Sequence, residues 1–288
     1  MKNYSYKASI KSKIGDELLN TYFIRPFAGL FVNMLFNTKI KPIQVVIFGS
    51  LLGLISAYFY SLNGYWNLFL GATFLFAKNI SDAVDGQLAR AKNMVDRRGR
   101  FLDSIADIII NFLVFLAISL SIYRIENNPN IFLLCFVAFI SISLRVSYFV
   151  FYLVSYLKLE DKMKNNRIIE TITDEDKKGD KISYYLQIIF NIFYIWQDKL
   201  IYYIDKICKP KINDMNFDKL WYSDVWGLRL NNFIGLGTEL TLLIIMSYLD
   251  MLKIYLYINI VILNLYLVII VLYRKFILSK KILNSLES

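Results

Sequence analysis

The sequence predicts an all-α polytopic membrane protein of six transmembrane helices, preceded by an N-terminal interfacial amphipathic helix. Three observations predict it. Hydrophobic residues make up 57% of the 288 positions and charged residues only 19%, against roughly 45–50% and about 25% in soluble domains. Six apolar segments reach or approach the ~20 residues that a bilayer-crossing helix needs. Basic residues crowd into alternate connections between those segments, the pattern that sets membrane orientation.

The elements follow in order. Phe23, Phe27, Leu30, Phe31 and Met34 share one helical stripe between polar neighbours. Residues 17–36 therefore read as a helix lying in the membrane interface, bent near Pro26. The predicted spans are 42–62, 65–80, 104–123, 131–157, 233–251 and 254–273. The second reaches spanning length only if its helix continues through the polar stretch 81–90. Seven Lys or Arg fall in 1–41, six in 78–100, thirteen in 158–230 and four in 274–288. Arg124 and Lys253 stand alone in the intervening connections, and Arg145 lies inside a span. This alternation places both termini on the cytoplasmic side. The N-terminus is polar and shows no signal-peptide pattern, and the cell membrane is the expected location.

The segment 158–230 is the longest polar insertion. Its apolar middle, 184–196, is interrupted by Gln187 and Asn191. A span there would put Lys199, Lys206, Lys209, Lys211 and Lys219 on the outer side, against the charge rule. An amphipathic helix at the cytoplasmic face is the better reading. The chain divides into a cytoplasmic and interfacial part (1–41), a six-helix membrane domain (42–275) and a tail (276–288).

Composition also excludes chemistry. The chain has no His, so imidazole bases, histidine metal sites and Ser–His or Cys–His pairs are ruled out. Cys135 and Cys208 are too few for a thiolate metal cluster. The net charge of +10 suits a membrane surface or a phosphate-bearing ligand. Nucleic acid is not expected, because the 21 Tyr and 22 Phe are accounted for by span packing and interfacial belts.

The informative stretch is 81–107, SDAVDGQLARAKNMVDRRGRFLDSIAD. Asp82 and Asp85 are three apart at the end of the second span, and Asp103 and Asp107 four apart at the start of the third. Each spacing places its pair on one helix face, and the short loop makes the two helices neighbours. Four carboxylates that converge repel one another, and a membrane edge raises the cost of ionising them. A hard divalent cation removes both difficulties. Oxygen-only ligands point to Mg²⁺ or Mn²⁺, and four acids suffice for two ions, the arrangement that clamps a reacting phosphoryl group. Gly86 and Ala89 clear the helix beside the acids, and Gly99 does so from the loop side. Arg90 is a planar donor suited to phosphate oxygens. Lys92, Arg97, Arg98 and Arg100 make the entrance electropositive, though singly each is explained by topology.

The spacing Asp82-x2-Asp85-Gly86-x2-Ala89-Arg90-x8-Gly99-x3-Asp103-x3-Asp107 resembles the signature of the CDP-alcohol phosphotransferases, also called CDP-alcohol phosphatidyltransferases, at every fixed position. The six-span layout and the interfacial helix resemble the family's too. The resemblance implies transfer of a substituted phosphate from a CDP-linked alcohol to a second alcohol, with release of CMP, in phospholipid biosynthesis. By position, Asp82, Asp85, Asp103 and Asp107 would hold the metal pair, and Asp107 would also be the general base. Gly86, Ala89, Arg90 and Gly99 would line the CDP pocket. Homodimers are frequent in the family. One departure is that Pro42 is followed by Ile43, Gln44, Val45 and Val46, where members often carry Asn and a nearby Thr. A charge at the depth of Arg145 is a functional hypothesis by default. A substrate phosphate is its expected partner, with an ion pair to an acid as the alternative. Glu239 could supply that acid or face the cavity. The competing reading of the whole chain is a divalent-cation transporter. It leaves the glycine pattern without a role and places the acids at one face rather than at the midplane.

Overall fold

The computed structural model describes residues 4–9, 17–160, 168–212 and 215–287, which form helices and connections with no strand among them. A short helix α1 (Tyr6–Ser9) precedes a wide π-turn, Asn20–Ile24, and then α2 (Arg25–Phe36). The wide turn arises where Pro26 cannot donate a backbone bond, and Arg25 N–H reaches Asn20 O instead. Ile24, Ala28 and Val32 are buried, with Ala28 and Val32 in one cluster with Val84 and Leu88. The expected apolar stripe, Phe23, Phe27, Leu30, Phe31 and Met34, faces outward.

The bundle is built from α3 (Pro42–Ser61), α4 (Tyr65–Ala91), α5 (Arg97–Glu126) and α6 (Asn130–Leu159). Gln44 accepts a bond from Lys41 N at 2.8 Å and closes the first turn of α3. Among the described residues, five helical stretches are long and apolar enough to cross a membrane: Pro42–Ser61, Arg97–Glu126, Asn130–Leu159, Asn216–Tyr248 and Leu252–Leu286. The helix that begins at Tyr65 does continue through 81–90, giving 27 residues. It stands outside that group of five because Lys78, Asp82, Asp85 and Arg90 charge its second half.

Small residues let the helices of the bundle approach closely. A Cβ on Gly49 would stand 3.1 Å from Ser81 Cβ across the α3–α4 contact, and one on Gly53 would stand 2.6 Å from Ile110 on α5. The main core gathers Leu75, Phe115, Ile118, Ala138, Leu243 and Tyr255, among others.

The insertion holds α7 (Asp174–Lys178), α8 (Lys181–Cys208), α9 (Met215–Tyr222) and α10 (Val225–Asn231). Helix α8 is 28 residues long and more than doubles the apolar stretch that marks it in the sequence. Its outward stripe is Ile182, Tyr185, Ile189, Ile192, Trp196, Tyr203 and Ile207, while Gln187, Gln197 and Asp205 are turned inward. Helix α11 (Leu236–Tyr248) follows a 3-10 turn. Helices α12 (Leu252–Tyr257), α13 (Leu263–Leu272) and α14 (Ser279–Glu287) run on through two wide turns, Ile258–Ile262 and Tyr273–Leu278. The expected tail after 275 is therefore helical as far as Glu287.

Candidate metal and nucleotide site

The hairpin of α4 and α5 places the four aspartates. Asn93 takes a left-handed φ of 55°, and Met94 N reaches back to Ala89 O at 2.8 Å, which closes α4 sharply. Asp96 then caps α5 by accepting a bond from Gly99 N at 2.7 Å. With both helix ends so fixed, carboxylate oxygens of Asp82, Asp85 and Asp103 lie within 4.8 Å of one another. Asp85 is 7% exposed, and its buried Oδ2 has no hydrogen-bond partner. Such an oxygen is costly unless something with positive charge meets it. Three converging carboxylates with one orphaned oxygen fit a hard cation, which takes oxygen ligands alone.

Asp107 is joined to that trio through Lys78. Its Oδ1 accepts from Lys78 Nζ, and the same ammonium reaches Asp82 Oδ2 at 2.5 Å. Lys78 is 1% exposed. In the sequence it counted only as one more basic residue of 78–100. Its position one turn before Asp82, inside an apolar run, was the signal that it pairs with the acids.

A cavity of about 1010 Å³ opens beside the hairpin. It is lined by Asp85, Asp103 and Asp107 and also by Gly86, Ala89, Arg90 and Gly99. Asp82 is not on its wall but lies against Gly49 of α3. Arg90 folds back over Gly86, with both terminal nitrogens 3.5 Å from where a Cβ would stand, and its Nε donates to Ser9 O at 2.5 Å. A side chain at position 86 would thus meet the arginine only at ordinary van der Waals distance.

Two expectations need correction. Arg145 does not line the cavity. Its guanidinium is fully buried against Glu239, donating from Nε to Oε1 and from Nη2 to Oε2 at 2.8 Å. Its Nη1 serves Asn259 O at 2.9 Å and Asn264 Oδ1 at 2.6 Å. The ion pair, not the phosphate role, accounts for it, because no fork of donors is left for a phosphate. The basic entrance is also less open than the sequence suggests. Arg97 bonds Asp176 at 2.7 Å and Glu170 at 3.0 Å, Arg100 bonds Glu170, and Arg98 bonds Asp180 at 2.5 Å. Lys92 donates to Thr38 O and Ile40 O.

The insertion supplies a wall that the motif could not reveal. Tyr194 on α8 donates to Ser104 O at 2.8 Å, and Asp198, one turn later, also lines the cavity. Burial, and then the nearby charge of Glu170, push the Asp198 carboxyl up to about 7, against the opposing pull of Arg100. From the N-terminal part, Glu17 accepts bonds from Gly237 N at 3.2 Å and Thr238 N at 2.5 Å, so it caps α11 from a distant part of the chain.

Comparison with known proteins places this geometry. The family model described as CDP-alcohol phosphatidyltransferase matches residues 43–210. The "Bifunctional IPC transferase and DIPP synthase" of Aquifex aeolicus (strain VF5) is 29% identical over 119 residues, 41% of this chain and 26% of that protein. A second protein of the same organism, described as "Uncharacterized protein", is 33% identical over 117 residues, again 41% of this chain and 57% of its own length. The matched stretch thus spans about a quarter and just over half of the curated relatives. The family model covers the whole α4–α5 hairpin and more than half of the chain, and the chain belongs to the CDP-alcohol phosphatidyltransferase family.

Proposed function

We propose that this protein makes a phosphodiester in phospholipid biosynthesis, with one of its two alcohols a lipid. The observation that carries the reading is the buried, unpartnered Asp85 oxygen in a trio of carboxylates beside a cavity of about 1010 Å³. That volume lies at the upper end of the roughly 300–1,000 Å³ of small-molecule sites. Asp82, Asp85, Asp103 and Asp107 would hold Mg²⁺ or Mn²⁺, two ions when the site is fully loaded. The ions supply positive charge to the phosphate oxygens of the donor.

The chain's own groups do the rest. Gly86, Ala89 and Gly99 leave the space in which the cytidine diphosphate lies, and Arg90 offers its terminal nitrogens to a phosphate. Asp107 accepts the proton of the acceptor hydroxyl. The freed oxygen forms a bond to the β-phosphorus of the donor, and the bond from that phosphorus to the bridging oxygen breaks, so CMP leaves with the electron pair. Phe149, Val150 and Val154 of α6 give the cavity an apolar flank on which acyl chains can rest.

Six spans support the membrane setting if α4 is counted with the five apolar stretches. Its charged half then lies at the cytoplasmic end, with the site and both termini facing the cytoplasm of the plasma membrane. The exposed stripes of α2 and α8 suit two interfacial helices beneath the bundle. A homodimer belongs to the same reading.

The test is CMP release by purified protein given Mg²⁺ and combinations of CDP-alcohols and alcohols. Asp107→Asn should lower release by about 10²–10⁴-fold, the usual worth of a general base, while the protein stays folded. Full activity in that variant would remove Asp107 from the role. Divalent-ion flux into liposomes without nucleotide, and no CMP release, would favour the transporter.

A further inference from the structure

We propose that Lys78 is a built-in counter-cation that ties Asp107 to Asp82 and already neutralises that side of the four-acid cluster, so that the protein without nucleotide takes one divalent ion rather than two. The inference rests on the metal reading above and deepens it.

Lys78 is 1% exposed, and lysines are almost never so buried unless paired. Its partners are an acid on its own helix, Asp82 at 2.5 Å, and an acid across the hairpin, Asp107. An ammonium is a compact charge with three donors and no acceptor. Placed between two carboxylates, it does what a bridging metal ion would do there. Asp82, Asp85 and Asp103 converge within 4.8 Å, and Asp107 is not among them. The orphaned Asp85 Oδ2 marks the side of the cluster that Lys78 does not serve.

Four carboxylates and one ammonium sum to −3, so one divalent ion brings the pocket to −1 and a second to +1, the sign that suits an entering anionic diphosphate. Lys78 therefore separates the loading of the two ions: the trio fills first, and Asp107 joins a second ion only with the nucleotide.

The experiment is a Mn²⁺ titration of the full chain in detergent, with free Mn²⁺ read by electron paramagnetic resonance. Wild type should bind one ion per chain, and Lys78→Met should bind two in the absence of nucleotide. Lys78→Arg, which keeps the charge, should stay at one. Two ions on wild type, or one ion on a folded Lys78→Met, overturns the proposal. The wild-type count serves as the test alone if Lys78→Met does not fold. Asp85→Asn should abolish the single wild-type ion. Loss of that ion together with a changed count in Lys78→Met supports both readings. No bound Mn²⁺ in wild type sinks the metal site itself and this role with it.

Discussion

Replacing Arg145 by Met should cost far more in stability than in substrate affinity. Arg145 and Glu239 are both almost wholly buried, at 0% and 1% exposure. The guanidinium makes two bonds to the carboxylate and one each to Asn259 O and Asn264 Oδ1. Arg145→Met leaves the carboxylate without its counter-charge, for which roughly 3–5 kcal/mol is typical. Adding Glu239→Leu removes the stranded charge. Only Asn259 O and the Asn264 amide then lose a partner, at about 1–3 kcal/mol for a buried polar group left unsatisfied. The double variant should therefore be more stable than Arg145→Met, with a coupling of about 2–3 kcal/mol, the upper end for groups in contact. Unfolding in detergent, followed by circular dichroism across the four proteins of the cycle, measures it. KM for the CDP-alcohol should stay within about twofold of wild type in the folded single variant. Unchanged stability with KM raised about tenfold would refute the argument and return Arg145 to the substrate, since a lost charge-assisted bond of about 1.4 kcal/mol changes affinity by that factor.

Three further predictions follow from other parts of the molecule. The Asp198 carboxyl stands near 7 when folded and at about 3.9 when unfolded, so the folded chain binds the extra proton between those values. Its contribution to stability is whole below about pH 4 and is lost as pH rises through 7; Asp198→Asn should flatten the fall in Tm between pH 5 and 8, and an equal fall in both proteins would contradict the assignment. Glu17→Ala should cost about 0.5–2 kcal/mol by uncapping α11, and proteolysis should then cut the N-terminal part sooner; unchanged protection would deny that Glu17 ties it down. Gly53→Ala should cost about 1–3 kcal/mol, because the new Cβ would lie 2.6 Å from Ile110, and that increment should shrink when measured in an Ile110→Ala background, whereas an unchanged increment would place the cost elsewhere.

What the sequence made legible is what depends on local spacing. Asp82 and Asp85, and Asp103 and Asp107, share helix faces whatever the rest of the chain does, and the five-residue connection 92–96 leaves their helices no choice but adjacency. The continuation of α4 past residue 80 follows from the same periodicity. Less legible were the contacts that join distant segments. The charge of Glu239 inside a span makes it a candidate partner for Arg145, 94 positions earlier, without deciding between that pair and a cavity role, and nothing near Arg97 names Glu170 or Asp176. Asp198 belongs to the site only because α8 packs against α5. The length of α8 was underestimated because its polar inward face, Gln187, Gln197 and Asp205, reads as interruption in a search for continuous apolar runs. Lys78 is a different case. It lay within reach of the spacing rule but was absorbed into the charge pattern of the loop.

The charges inside the apolar stretches separate the acids into two kinds. Lys78 on α4 binds Asp107 on α5, and Arg145 on α6 binds Glu239 on α11, so each pair crosses between helices. Among apolar helices in a bilayer, packing alone discriminates register weakly, because lipid and side chain are equally apolar. A buried cation that finds an acid on one neighbour only fixes which turns stand opposite. The wide turn at Ile258–Ile262 fits this role, since Asn259 O within it accepts from Arg145 rather than serving only its own helix. Asp85 and Asp103 lack such a partner: neither makes an ion pair among the described residues. The protein thus compensates the acids that set helix register, Asp107 on the cavity wall among them, and leaves Asp85 and Asp103 on the same wall without an ion pair. It is this contrast within one hairpin, more than the number of aspartates, that separates a ligand site from an ordinary pairing of charges.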